Sequence, residues 1–434
     1  MDSTTVHGAT VLLLNLPPAA LAAIDLLSFT TSAKFRGIKL IPPGLHFVFA
    51  SASTSLSIRH GAWIRIPSPS PSPSPSPTDT LQLFVRCWEA STEDLVPESS
   101  PAALLRWRAN LSSIWREGLT PYRQSAEDEA EETDDWDRLT NYITDDMLTR
   151  VTGNPSDAWS LTSASSASRD LDDIPGLGPT QLSRDTPLSF LPVELKQTWR
   201  PGATGRERTD GARDHSWALG ELIDQHCAEP TDVLGEMQFC FLMVLTLANY
   251  SCLEQWKRLI KLLFTSQSAV ADRAELYVSA IRLLKLQLQH CQDVEGGLFD
   301  LSDDGAGFLK QLLRKFKKSL SDEEGMGKSD VMDELDELGS YLRESYGWDL
   351  EDNFARRGMM TLEDGERVEV TLTGYEEEDE SGEYAPTVVD LTDEQLHTIG
   401  GKGAHDEAET ISGKQEAEED EEEEDDIETM DARY

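Results

Sequence analysis

Through the first hundred residues the apolar runs are short and bounded by Gly and Pro, a pattern that predicts strands and turns. The strand candidates are Thr10–Leu14, Arg36–Ile41, Leu45–Ala50, Trp63–Ile66 and Leu81–Trp88. Within Ile41-Pro42-Pro43-Gly44, Pro43 can set φ at the first central position of a type II turn and Gly44 can supply the positive φ required next. A strand restarting at Leu45 puts Leu45, Phe47 and Phe49 on one face and His46 and Val48 on the other. The Ser-Pro repeat over 67–77 has strand-like segments on both sides, so it reads as an extended loop inside a β-hairpin. Such an insertion costs little, because closure entropy grows only logarithmically with length.

The period then lengthens. Leu104, Leu105, Leu111 and Trp115 suggest a helix over Ala102–Trp115, and a second is expected over Trp136–Val151. The acidic run Glu127–Asp135 between them reads as a solvated loop. Residues 152–214 are rich in Ser, Asp, Gly, Pro and Arg and show little periodicity, the signature of a largely disordered linker, with Leu188–Leu195 as a patch that could order within it. From Ser216 to Leu320 helical spacing dominates: Leu253, Trp256, Leu259, Ile260 and Leu263 share one face, and Leu276, Ile281, Leu284 and Leu288 share another. Asp232 is a candidate N-cap for a helix reaching about Tyr250, and Val331–Tyr346 adds a last one. The expected organisation is α+β and multidomain. A β-rich N-terminal domain (1–151) and the linker (152–214) precede an all-α domain (215–348) and an acidic tail (349–434) with a possible strand at 385–391.

Charge changes this picture at one end. The formal net charge is -42, and half of the 80 acidic residues lie beyond Leu320, where they outnumber Lys and Arg five to one. Self-repulsion leaves Glu418–Asp426 disordered, while Arg367–Leu372 and Ala385–Leu391 are apolar islands that could each pair as a strand with something else. So negative a chain does not hold nucleic acid by bulk electrostatics, so RNA would be reached only through a partner. Five cysteines with no CxxC spacing read as reduced core thiols in a reducing compartment. No apolar run approaches the roughly 20 residues of a membrane span, and no basic flank precedes Val11–Leu14, so neither secretion nor membrane insertion is expected.

Candidate chemistry is sparse. His46 lies in a distinctive stretch without an accompanying nucleophile or acid, which favours a structural histidine over a catalytic or metal-binding one. Gly176-Leu177-Gly178 falls in the linker rather than between a strand and a helix, so it does not read as a nucleotide loop. Lys257, Arg258 and Lys261, with Arg314, Lys315, Lys317 and Lys318, are the main basic groups: either a solvated helix face or an electrostatic dock for the acidic tail or an acidic partner. No catalytic, cofactor or metal residues can be assigned. The candidate partner-binding residues are Pro42, Pro43 and Gly44 in the exposed turn and Pro386, Thr387, Val388, Val389 and Leu391, which could add as a β-strand to a partner's sheet edge.

Several separate words occur together in order: Val11-Leu12-Leu13-Leu14-Asn15-Leu16-Pro17, Ile24-Asp25, Phe35-Arg36-Gly37-Ile38-Lys39, and Ile41-Pro42-Pro43-Gly44-Leu45-His46-Phe47-Val48. Further along come Leu234-Gly235-Glu236-Met237-Gln238-Phe239-Cys240-Phe241, Trp256-Lys257, Leu276-Tyr277, Trp348-Asp349 and Ala385-Pro386-Thr387-Val388-Val389-Asp390-Leu391. Together they resemble the cistron-splicing (Aar-two) family of U5 snRNP assembly factors; Ala23 stands where the family often has Gly. The resemblance implies a β-rich domain followed by a VHS-like helical domain, and a chaperone of the U5 particle located in cytoplasm and nucleus. It further implies a grip on the Prp-eight scaffold protein through the latter's RNase H-like and Jab/MPN-like domains, which delays the Brr-two helicase and to which the tail strand contributes. The rival reading is a cytosolic adaptor that binds peptides through the VHS-like domain. Neither reading requires a cofactor, a membrane or a small-molecule substrate.

Overall fold

The computed structural model describes residues 8–54, 57–68, 82–123, 135–155, 158–172, 187–291, 305–321, 327–350, 355–361 and 367–373. Ten strands build the first half, with helices between the last of them: β1 (Ala9–Leu14), β2 (Leu21–Ile24), β3 (Leu27–Thr30), β4 (Gly37–Ile41), β5 (Gly44–Ser51), β6 (His60–Ile66), β7 (Leu83–Glu89), β8 (Asp94–Pro97), β9 (Leu119–Pro121) and β10 (Ser160–Thr162). They form two five-stranded sheets, ordered β8-β7-β1-β4-β9 and β10-β6-β5-β2-β3. In the first, β1 runs parallel to β7 and β4 parallel to β9; the second is antiparallel throughout.

Alternation along the strands builds three apolar layers. Val11 and Leu13 meet Ile38, Val48, Ala50 and Ile64 between the sheets. Leu12 and Leu14 face the other way, toward Val85 and Leu111, under helix α1 (Pro101–Ile114). Leu45, Phe47, Phe49 and Trp63 point from the second sheet into the large core shared with the helices. β1 is covered on both faces, so all six of its residues are buried, five of them apolar and Thr10 the exception.

The helices after α1 are α2 (Asp135–Thr140), α3 (Asp145–Thr152), α4 (Ser168–Asp172), α5 (Gly205–Arg213), α6 (Ser216–His226), α7 (Asp232–Leu247), α8 (Tyr250–Thr265), α9 (Ala269–Asp272), α10 (Ala274–Gln289), α11 (Gly305–Ser321) and α12 (Lys328–Tyr346). The single helix expected over Trp136–Val151 is broken, because Thr144 leaves helical geometry and caps α3 by accepting from Met147 N. Asp232 is the first residue of α7 rather than its cap; its carboxylate accepts from the N–H groups of Ala228 and Glu229. That helix stops at Leu247, where Ala248 turns left-handed and Asn249 caps α8.

Two further expectations differ from what is seen. β6 and β7 belong to different sheets and so do not form the hairpin expected around the Ser-Pro repeat, of which residues 69–77 lie outside the described residues. Within 152–214, β10 pairs with β6, α5 carries a capping box, and Leu188, Leu191 and Val193 enter the shared core. The linker pattern misleads over the described part of this stretch because its apolar anchors, Trp159, Leu161, Leu188, Leu191 and Val193, are spaced without a helical period.

Residues up to Asn353 form one unit, and its two halves are joined along α7. Trp63 stacks on Trp136 and on Phe239, both at 6.0 Å between ring centroids. Gly235 lets the Tyr142 carbonyl approach so closely that a Cβ would lie 2.3 Å from its oxygen. Glu236, fully buried, accepts from Leu191 N at 2.9 Å, Gln255 Nε2 at 2.7 Å and Arg150 Nη2 at 2.8 Å. Gln238 donates to Arg138 O and Asn141 Oδ1 and accepts from Tyr142 N. The word Leu234–Phe241 is therefore a seam: apolar residues fill the core, while one carboxylate and one amide bind the backbone of the preceding half.

A second unit, described by itself, holds an antiparallel pair, β11 (Ala355–Thr361) and β12 (Arg367–Thr373), in register from Ala355↔Thr373 to Thr361↔Arg367. The alternating island Arg367–Leu372 thus pairs with the same chain.

Candidate partner-binding site

The exposed prolines expected between two strands are there, but the turn is a passage from one sheet to the other. β4 lies in the first sheet and β5 in the second, so Pro42 and Pro43 stand exposed at an open corner of the sandwich. Gly44 has φ +144, a positive value as expected, yet beyond the range a type II turn uses. The preceding residue pairs explain the geometry. Ala9 pairs with Ile41 and Thr10 with Lys39, which leaves Leu40 as a bulge. Leu40 adopts φ +61 and is 41% exposed. A left-handed leucine costs on the order of 1–2 kcal/mol, and its side chain gains little from burial to offset that.

The strain persists because the residues on both sides are held. Lys39 Nζ donates to Trp115 O at 2.6 Å and sits 5.1 Å above that residue's ring. Ile41 is fully buried. Behind Pro42, His46 Nε2 donates to the Pro42 carbonyl at 3.0 Å, and its Nδ1 lies 2.8 Å from Asp25 Oδ2. Asp25 also accepts from Phe47 N at 2.9 Å and from the Tyr122 hydroxyl at 2.7 Å. One buried carboxylate therefore joins β5 to the end of β9 and, through His46, fixes the corner. Both imidazole nitrogens are occupied, so His46 has none left for a substrate or metal, in line with the structural reading of its sequence. Among the described residues no group of three or more His, Cys, Asp or Glu is placed to hold a metal, and no helix is long and apolar enough to cross a membrane.

Of the predicted site residues, the structure brings Pro42, Pro43 and Gly44 together. Pro386, Thr387, Val388, Val389 and Leu391 lie outside the described residues, as do Gly176-Leu177-Gly178 and Glu418–Asp426. Leu40 was not singled out from sequence, since an apolar residue in a strand pattern reads as core. The basic groups are partly committed: Arg258 meets Asp170 at 2.7 Å, Lys257 meets Glu254 at 3.0 Å, Lys317 meets Asp336 at 2.9 Å, and Arg314 donates to Asp349 O.

These features define an α+β protein in which a β-sandwich and a helical bundle share one core and display a fixed apolar corner. Comparison with known proteins makes this specific. The profile described as "AAR2 N-terminal domain" matches residues 7–153, and that described as "AAR2 C-terminal repeat region" matches residues 190–351. The chain is similar to "Protein AAR2 homolog" of Homo sapiens, 30% identical over 312 residues, covering 65% of this chain and 76% of that one. It is 29% identical to the Mus musculus protein over 309 residues (65% and 76% covered) and 24% identical to the Caenorhabditis elegans protein over 363 residues (79% and 95% covered). The chain belongs to the AAR2 family, a splicing-related family of assembly factors rather than a known enzyme family.

Proposed function

We propose that this chain is an assembly chaperone of the U5 snRNP that binds the Prp-eight scaffold protein, through its RNase H-like and Jab/MPN-like domains, and delays association of the Brr-two helicase. Family membership across both halves supports the splicing role. The observation that carries the binding role is Leu40: a strained, exposed leucine beside two exposed prolines, on a corner held rigid from behind. The fold holds the Leu40 backbone in place but leaves its apolar side chain uncovered, a pairing that supports a partner-binding role. A corner fixed before binding also loses little conformational freedom on docking. Pro386, Thr387, Val388, Val389 and Leu391 belong to the same proposal as a strand added to the partner's sheet edge. So do the VHS-like character of the helical half, a reach to RNA only through the particle, and residence in cytoplasm and nucleus.

The test is co-purification with mass spectrometry from cells expressing the tagged chain or its Leu40→Asp variant. Capture of the U5 scaffold protein without the helicase is expected, with at least a tenfold loss for Leu40→Asp at an unchanged urea midpoint. Trafficking cargo in place of a spliceosomal scaffold would overturn the reading in favour of a peptide-binding adaptor.

A further inference from the structure

A second surface lies on the helical half, away from the residues that build the corner. Helix α6 and the segment 192–197 enclose an open recess of about 160 Å³. Val193, Leu222 and Leu262, each at most 5% exposed, form its apolar floor. Trp217, 39% exposed, stands at its wall, one of six large apolar side chains exposed to this degree among the described residues. Helical spacing puts Trp217 and Glu221 on one stripe, four residues apart, so a carboxylate borders the indole. Glu194 supplies a second carboxylate from the opposite segment.

One of the two carboxylates, Glu221, has no cation against it among the described residues. Glu221 is exposed and makes no hydrogen bond or ion pair among the described residues. Among the described residues Glu194 accepts only from the backbone N–H of Lys196, at 2.8 Å. Arg169 is close enough to interact with Glu194 electrostatically, but its guanidinium donates to Gln255 and to the Val193 carbonyl. The recess therefore pairs an apolar floor and an aromatic wall with two carboxylates.

We propose that this recess docks a peptide segment of another protein in which one large apolar side chain, Leu or Phe in size, is flanked by Arg or Lys. The volume suits that anchor: an engineered apolar cavity of about 150 Å³ takes up benzene. The carboxylates meet the flanking cation, and the open face of Trp217 stacks with a guanidinium. The same charges argue against other occupants. The chain's own residues beyond Thr373 are dominated by Asp and Glu, and a net charge of -42 opposes a second copy or an anionic surface. A partly exposed Trp at the edge of a dry floor is the kind of residue on which docking energy concentrates. This inference is independent of the splicing reading, since it names a chemistry and not a particle.

The experiment selects a random 12-residue peptide library on the intact chain, with the Trp217→Ala variant as counter-selection. A synthetic fluorescein-labelled peptide of the leading sequence is then titrated by anisotropy. Enriched sequences are expected to carry Arg or Lys within three positions of a Leu, Ile, Met or Phe. The labelled peptide should lose at least tenfold in affinity on Trp217→Ala and on Glu221→Lys, and bind more weakly as salt rises. Glu221 is exposed and unpaired, so its reversal keeps the test intact even where loss of the indole disturbs α6. The proposal is overturned if no Trp217-dependent peptide emerges, if the winners are acidic or uncharged, or if Glu221→Lys binds as well as the parent chain.

Discussion

Truncating Glu236 tests whether the two halves are held by the buried polar seam. In Glu236→Ala the Leu191 N–H loses its acceptor inside the core, and an unmet buried donor costs about 1–3 kcal/mol. The void adds about 1–2 kcal/mol. Of the other two donors, the fully buried Gln255 Nε2 loses one acceptor and keeps Leu191 O, and Arg150, 34% exposed and also donating to Ser189 O, turns toward water at little cost. The expected loss is about 2–5 kcal/mol, which at an m-value near 3 kcal/mol/M lowers the urea midpoint by roughly 0.7–1.7 M. Glu236→Gln should behave differently, because its carbonyl still accepts from Leu191. Burial pushes the Glu236 carboxyl above its ordinary 4.5, and Arg150 and the hydrogen bonds only partly pull it back. As pH passes 4.5 the unfolded chain ionises while the folded chain keeps its proton, so the native state loses stability until its own raised value is passed. The Gln variant does not titrate. It should match the parent below pH 4.5 and gain on it as pH rises, by no more than about 1.4 kcal/mol per pH unit. Urea titrations of both variants between pH 4 and 8 check this. An Ala variant within about 1 kcal/mol of the parent, or a Gln variant that falls behind as pH rises, refutes the reasoning.

Gly235→Ala places a Cβ 2.3 Å from the Tyr142 oxygen, a backbone atom that cannot step aside without moving the α2–α3 junction. A loss of about 3 kcal/mol is expected by urea titration. Burial pushes the Cys227 thiol up to about 11 and that of Cys291 up to about 12, so both are almost wholly protonated at pH 8. A disulfide reagent should modify both slowly in the native chain and quickly in urea; rapid native labelling would contradict the protonated state of the half-buried Cys227 and the burial of Cys291. Because Phe47 and Trp63 share a core with Phe239 and Trp256, the sandwich and the helices should unfold together. Coincident fluorescence and far-ultraviolet dichroism curves are the check.

The long elements could be read from the chain and the short ones could not. β1, β4, β5, β6 and β7 have five to eight residues and fall where apolar runs predict strands. β2, β3, β8, β9 and β10 have three or four residues, too few for a period of two to show. The alternation at Leu45, Phe47 and Phe49 was legible, and those side chains do share one face; what lies against that face was not, because an apolar pattern does not name its partner. The seam had a weak signal: Glu236 and Gln238 interrupt an otherwise apolar helix, and a charge inside such a run needs a built partner.

The corner shows where reading by composition stops. Pro42, Pro43 and Gly44 announce a bend by their own backbone preferences, so their exposure follows from residue type. Leu40 announces nothing, since leucine in a strand points inward as often as the pairing allows. It points outward here because β1 and β4 slip by one residue between Ala9 and Thr10, and one slip reverses the face that every later side chain uses. The slip is held in place by groups far apart in sequence: Trp115 on Lys39, and Asp25 through His46 on Pro42. The residue types of the site are thus written locally, while its orientation is set by contacts between residues as many as 97 positions apart. Residue type alone therefore could not mark Leu40 as exposed, whereas the register shift and the distant contacts around it do.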